Sequence, residues 1–206
     1  MTSNCSTREW LIDEAGMKQG AVDDACRQLL RFSQREKAFR GSANFLGYMG
    51  SGNRNAEIMI VSGSPTESES NTKLIAFSDY AIPMIIMLNK LGIQFEDVYW
   101  TTAIKYEGQP TMELIRGQRK YIQEEIIAVN PSIIIAMGSI ATSSLFNERV
   151  KWDEVDEDEG YEVHENLDDI PVICIDNPER YIEDGDVEKF KKFFTNTWSK
   201  LKEAFD

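Results

Sequence analysis

Three short segments carry residue types that could do chemistry together. Ser62-Gly63-Ser64-Pro65-Thr66 ends an apolar run. Its glycine would let the backbone approach a ligand, and its proline stiffens the turn. Phe77-Ser78-Asp79-Tyr80 sets an aromatic ring beside a carboxylate, a pairing that can stack a planar ring and stabilise a cation. Asp176-Asn177-Pro178-Glu179-Arg180-Tyr181 offers an amide for a base edge or a water, a guanidinium for phosphate and a ring for stacking. Each also has a plain structural reading: a strand-ending turn, a helix N-cap with a core phenylalanine, and an Asn-Pro turn with a surface arginine.

Several chemistries are disfavoured. The first segment lacks the spacing and the lysine of a P-loop, and it is not a G-x-S-x-G elbow. The one histidine, His164, lies far off in an acidic stretch, which disfavours a Ser–His–Asp triad. The three cysteines, Cys5, Cys26 and Cys174, are widely spaced with no C-x-x-C pair, so neither a metal nor a cofactor is expected.

The elements that must position these residues follow from apolar periodicity. Residues 8–40 read as two helices parted near Gly16 and Gly20, and they carry Arg27, Arg31, Arg35, Lys37 and Arg40. Residues 41–55 read as loop. Short continuous apolar runs at 57–61 and 133–137 read as buried strands, and 98–105 and 171–175 read as further strands. Helices are expected at 81–92, 111–129, 140–146 and about 186–204, and residues 66–73 read as loop. The alternation predicts an α/β fold, a three-layer α/β/α sandwich with a mostly parallel, four-stranded central sheet. Ligands in such sheets sit outside the carboxyl ends of the strands, so 62–65, 101–106, 138–139 and 176–181 should converge there.

A chain of 206 residues suits one domain: a helical extension (1–50), an α/β core (55–204) and an acidic insertion (151–170). No apolar run spans a bilayer and the N-terminus lacks a signal-like region, so a cytoplasmic monomer without membrane contact is expected. The net charge of −13 argues against a generally basic nucleic-acid-binding surface. Much of the excess acid lies at 153–159 and 162–169, which leaves room for a local basic face and offers an acidic surface to a protein partner.

In this order, the segments resemble the uracil-DNA glycosylase superfamily over residues 55–204. Ile60-Val61-Ser62-Gly63-Ser64-Pro65 resembles its first motif, and Phe77 matches the phenylalanine that stacks on a flipped base. Leu91-Gly92-Ile93 matches its helix-ending turn. Asp97 to Lys105 resembles D-V-Y-x-T-N-x-x-K, and Pro131 to Gly138 resembles P-x-x-I-x-x-x-G. Asn177-Pro178 takes the place of the second motif, as in the mismatch-specific branch.

The resemblance implies a DNA glycosylase that flips a base and hydrolyses its N-glycosidic bond. It implies Asp79 and Asn177 as catalytic residues. The base pocket would be Ser62, Gly63, Ser64, Pro65, Phe77 and Thr102, with Lys105, Ser139, Arg180 and Tyr181 on DNA. There are departures. The usual first-motif acid falls on Gly63 or Ser64, and the uracil-reading asparagine falls on Thr102. The cluster-binding cysteine of the thermophile-type branches falls on Tyr106, so no cluster is implied. A branch lacking the first-motif acid uses an aspartate just after the phenylalanine, within one residue of Asp79. The smaller Thr102 suits a bulkier or modified pyrimidine, such as a viral hypermodified base, and hence a role in DNA repair or antiviral defence. The alternative is a non-catalytic glycosylase-like regulator that binds DNA or protein.

Overall fold

The computed structural model describes residues 3–40, 50–72, 74–78, 81–105, 110–149, 166–167 and 169–205. The four expected strands form the centre of the sheet: β2 (Ile58–Ser62), β3 (Tyr99–Thr102), β4 (Ile133–Met137) and β6 (Ile170–Ile175). Their order is β3-β2-β4-β6, all parallel, with register pairs such as Ile60↔Trp100, Ile60↔Ile135 and Ile135↔Ile173. Two short antiparallel strands that the apolar pattern did not mark, β1 (Ser51–Gly52) and β5 (Asn166–Leu167), close the edges.

Strand side chains alternate between faces, so the continuous apolar runs feed two cores. Ile60, Trp100, Ile135, Ile173 and Ile175 pack on one face with α1 (Ser3–Asp13), α2 (Gln19–Arg40), α4 (Ala81–Lys90) and α8 (Val187–Phe205). Met59, Val61, Tyr99, Ile134, Ala136 and Val172 pack on the other with α5 (Met112–Val129) and α6 (Gly138–Phe146). This is the three-layer arrangement. Leu11, Val22, Ala25, Leu29 and Phe32 are buried, so the N-terminal helices belong to the first layer. Glu36 ties α2 to the sheet edge: it accepts from Gly52 N (3.1 Å) and from both terminal nitrogens of Arg54 (2.9 and 3.1 Å). That bonding, partly opposed by burial, raises the Arg54 pKa.

Two segments read as turn or loop are helical. α3 (Glu67–Thr72) is nucleated by a capping box in which Thr66 Oγ1 accepts from Glu69 N (3.2 Å) and Glu69 accepts from Thr66 N (2.9 Å). α7 (Pro178–Glu183) starts on a proline behind an asparagine cap. Strand β3 is shorter than the expected strand at 98–105: Ala103 and Ile104 donate to Ser62 O and Gly63 O, and the Lys105 N–H turns away to Gln118. His164, Tyr106, residues 41–49 and most of the acidic insertion lie outside the described residues.

Candidate active site

After β2 the chain crosses to β3 on one side and later returns to β4 on the other. The carboxyl ends of β2 and β4 therefore diverge, which is where open α/β sheets bind ligands. A cleft of about 620 Å³ opens there. Its walls include Gly63 after β2, Gly138 and Ser139 after β4, and Asp176, Asn177 and Arg180 after β6. Thr111 and Met112 at the start of α5 and Arg149 beyond α6 complete it. The size suits a nucleotide-scale ligand.

Close packing sets the walls. Gly138 has φ +82°, and a Cβ there would lie 3.3 Å from the Asn177 Cβ, so glycine lets the ends of β4 and β6 approach. A Cβ on Gly63 would press on Ile140 at 3.2 Å. The loop after β2 is bonded to the end of β3: Ala103 N donates to Ser62 O (2.8 Å) and Ile104 N to Gly63 O (2.9 Å). Ser62 Oγ donates to the Thr101 carbonyl (3.3 Å).

From behind, Glu69 holds the same loop. Its carboxylate is fully buried and accepts from Thr66 N and from Ala76 N (2.5 Å). Ala76 is held at φ +71°, a costly conformation for a non-glycine residue, immediately before Phe77. Glu69 was not singled out from the sequence, although Thr66-x-x-Glu69 is a readable capping-box signature.

Opposite, Asp176 is 6 % exposed and is the one carboxylate among the described residues that line the cleft. Oδ1 accepts from Asn177 N (2.7 Å), and Oδ2 accepts from the Tyr181 hydroxyl. Asn177 Oδ1 caps α7 by accepting from Glu179 N (3.1 Å). Tyr181 therefore turns toward Asp176, with its ring 5.5 Å from that of Phe193, and is not a free wedge.

Of the residues singled out from the sequence, the cleft gathers Gly63, Ser139, Asn177 and Arg180. Ser62, Ser64, Pro65, Phe77 and Thr102 are not among its described lining residues. Ser62 and Thr102 continue the alternation of Ile60 and Trp100, toward the layer of α4 in which Phe77 packs. Among the described residues the buried Thr102 hydroxyl has no hydrogen-bond partner. Asp79 lies outside the described residues. Lys105 requires correction as a phosphate ligand. It is 5 % exposed, its ammonium donates to Glu125 (2.6 Å) and to Thr101 Oγ1, and its N–H donates to Gln118 (2.5 Å). Burial lowers its pKa, against the opposing pull of Glu125. Arg149 and the start of α5 were missed because no local pattern marks a residue that reaches the cleft from a distant element.

The donor set does not fit a thiolate-held cluster, which takes about four cysteine ligands. The chain has three, and Cys26 packs beside the first core while Cys174 sits in the second. Among the described residues no group of three or more His, Cys, Asp or Glu could hold a metal ion, and no helix is long and apolar enough to cross a membrane.

Fold and cleft define a three-layer α/β protein with a nucleotide-sized cleft at its strand-order switch. The family model of the uracil DNA glycosylase superfamily matches residues 49–202, and the chain belongs to that superfamily. It is similar to the type-4 uracil-DNA glycosylase of Archaeoglobus fulgidus, at 31% identity over 103 residues, 48% of this chain and 51% of that protein. The chain thus spans about half the length of that curated relative.

Proposed function

We propose that this protein is a DNA N-glycosylase that accepts a flipped, modified pyrimidine and releases it by hydrolysis, leaving an abasic site. The observation that carries this reading is the cleft, where the first-motif Gly63 and second-motif Asn177 line one cavity with Ser139 and Arg180. A flipped nucleotide needs such a concave, nucleotide-sized site. Arg180 and Arg149 suit the flanking phosphates, and the Asn177 amide suits a base edge or a water.

The reaction passes through an oxocarbenium-like sugar, which needs a nearby negative charge. Gly63 and Ser64 supply none, so in this reading Asp79 stands in, as the superfamily resemblance suggests. Thr102, in place of the uracil-reading asparagine, favours a bulkier base such as a viral hypermodified pyrimidine. The test is incubation with DNAs carrying a panel of modified and unmodified pyrimidines, followed by an abasic-site assay. Abasic sites in at least one modified DNA are expected; their absence throughout overturns the reading. The missing acid at Gly63 and Ser64 favours a second reading, a non-catalytic DNA-binding relative. It predicts saturable binding of the same DNAs with every base retained.

A further inference from the structure

Resting on the glycosylase reading but not on its assignment of charge to Asp79, we propose that Asp176 is a catalytic carboxylate of the cleft, acting from the β6 side opposite a β2 wall that carries no charge. Gly63 has no side chain, and a Cβ there would sit tightly against Ile140 at 3.2 Å, so a carboxylate on that wall would require Ile140 to shift. Across β4, Asp176 lines the same cavity and is nearly buried. The Asn177 N–H and the Tyr181 hydroxyl each take one lone pair of its two oxygens. A carboxylate has about four acceptor sites, so two stay available for a water or for the developing cation. The two existing bonds fix the orientation in advance, the condition under which electrostatic stabilisation is effective.

The step balances as a hydrolysis. The C1′–N bond breaks and its electron pair leaves with the base. The oxygen of a water aligned by Asp176 bonds to C1′ and gives up one proton to the carboxylate. The base takes up a proton, the carboxylate returns its own to solvent, and the net change is addition of one water. Asn177, whose backbone N–H already orients Asp176, spends its Oδ1 on the α7 cap and one amide N–H on Glu179 (3.3 Å), which leaves its second amide N–H for the leaving base or the same water.

The experiment uses the full chain and whichever DNA of the panel loses its base. Asp176→Asn is nearly isosteric, and its thermal midpoint is measured alongside. The expected result is a fall in kcat on the order of 10²-fold, with KM close to wild type. Asp176→Glu, which keeps the charge one methylene further out, should retain more of kcat than the asparagine variant. Asp184→Asn, which removes an exposed carboxylate at the end of α7, should leave kcat unchanged and so exclude a general charge effect. An Asp176→Asn protein that is folded and retains wild-type kcat, or that changes KM alone, overturns the assignment while the glycosylase reading stands. If the wild type itself releases no base from any DNA, that reading falls and the assignment falls with it.

Discussion

The loops after β2 and β6 flank the end of β4 and line one cleft, yet they are built in opposite ways. The β2 loop presents the uncharged Gly63 to the cleft and is secured from behind by the buried Glu69 and by the end of β3. The β6 loop keeps its polar groups on the cleft, and these same groups hold it: Asp176 bonds Asn177 and Tyr181, and Asn177 caps α7. In the first loop, holding and chemistry have separated. In the second, on the proposed reading, they share residues, so a substitution there should cost both activity and stability.

The sharpest way to break this contrast is Glu69→Ala. It leaves the buried Ala76 N–H and the part-buried Thr66 N–H without their carboxylate acceptor, at about 1–3 kcal/mol for each donor, or roughly 2–6 kcal/mol in all. Urea denaturation measures the loss; a change below about 1 kcal/mol would mean that the β2 loop is held by other contacts. Asn177→Ala removes the α7 cap, worth about 1 kcal/mol by the same measurement, together with a part-buried bond to Glu179. Its base release should fall further than that small destabilisation accounts for. Equal stability costs for the two variants would erase the distinction.

The smallest effect concerns the layer behind β6. Burial lowers the Lys200 pKa to about 8 from 10.5, against an opposing interaction with Cys174. Between these values the unfolded chain binds more protons than the folded one, so this lysine makes stability rise with pH from about 8 to 10.5. Lys200→Met should flatten that rise, read as thermal midpoint against pH. The side chain is half-exposed, so solvent screening keeps the effect modest. A rise of unchanged slope in the variant would assign it to other groups.

The four central strands were legible because each is a short apolar run buried on both faces, and composition alone marks such a run. Helices α3 and α7 were not, because Thr66 with Glu69 and Asn177 with Pro178 read equally well as turn residues; hydrogen bonds closed in the folded chain decide which. In the site, Gly63, Ser139, Asn177 and Arg180 were legible because strand ends in a parallel sheet must converge. Lys105 misled, since its partner Glu125 lies twenty residues away on α5 and nothing local signals the pair.

The sequence by itself determined the three layers and, through its strand-end motifs, membership of the glycosylase superfamily, because apolar periodicity and such motifs are local. Only the tertiary structure decided which polar groups face the cleft and which are spent inside. Lys105 and Glu69 are spent on buried partners, while Asp176 and Asn177 remain on the wall. That division depends on what packs against each side chain from elements distant in the chain.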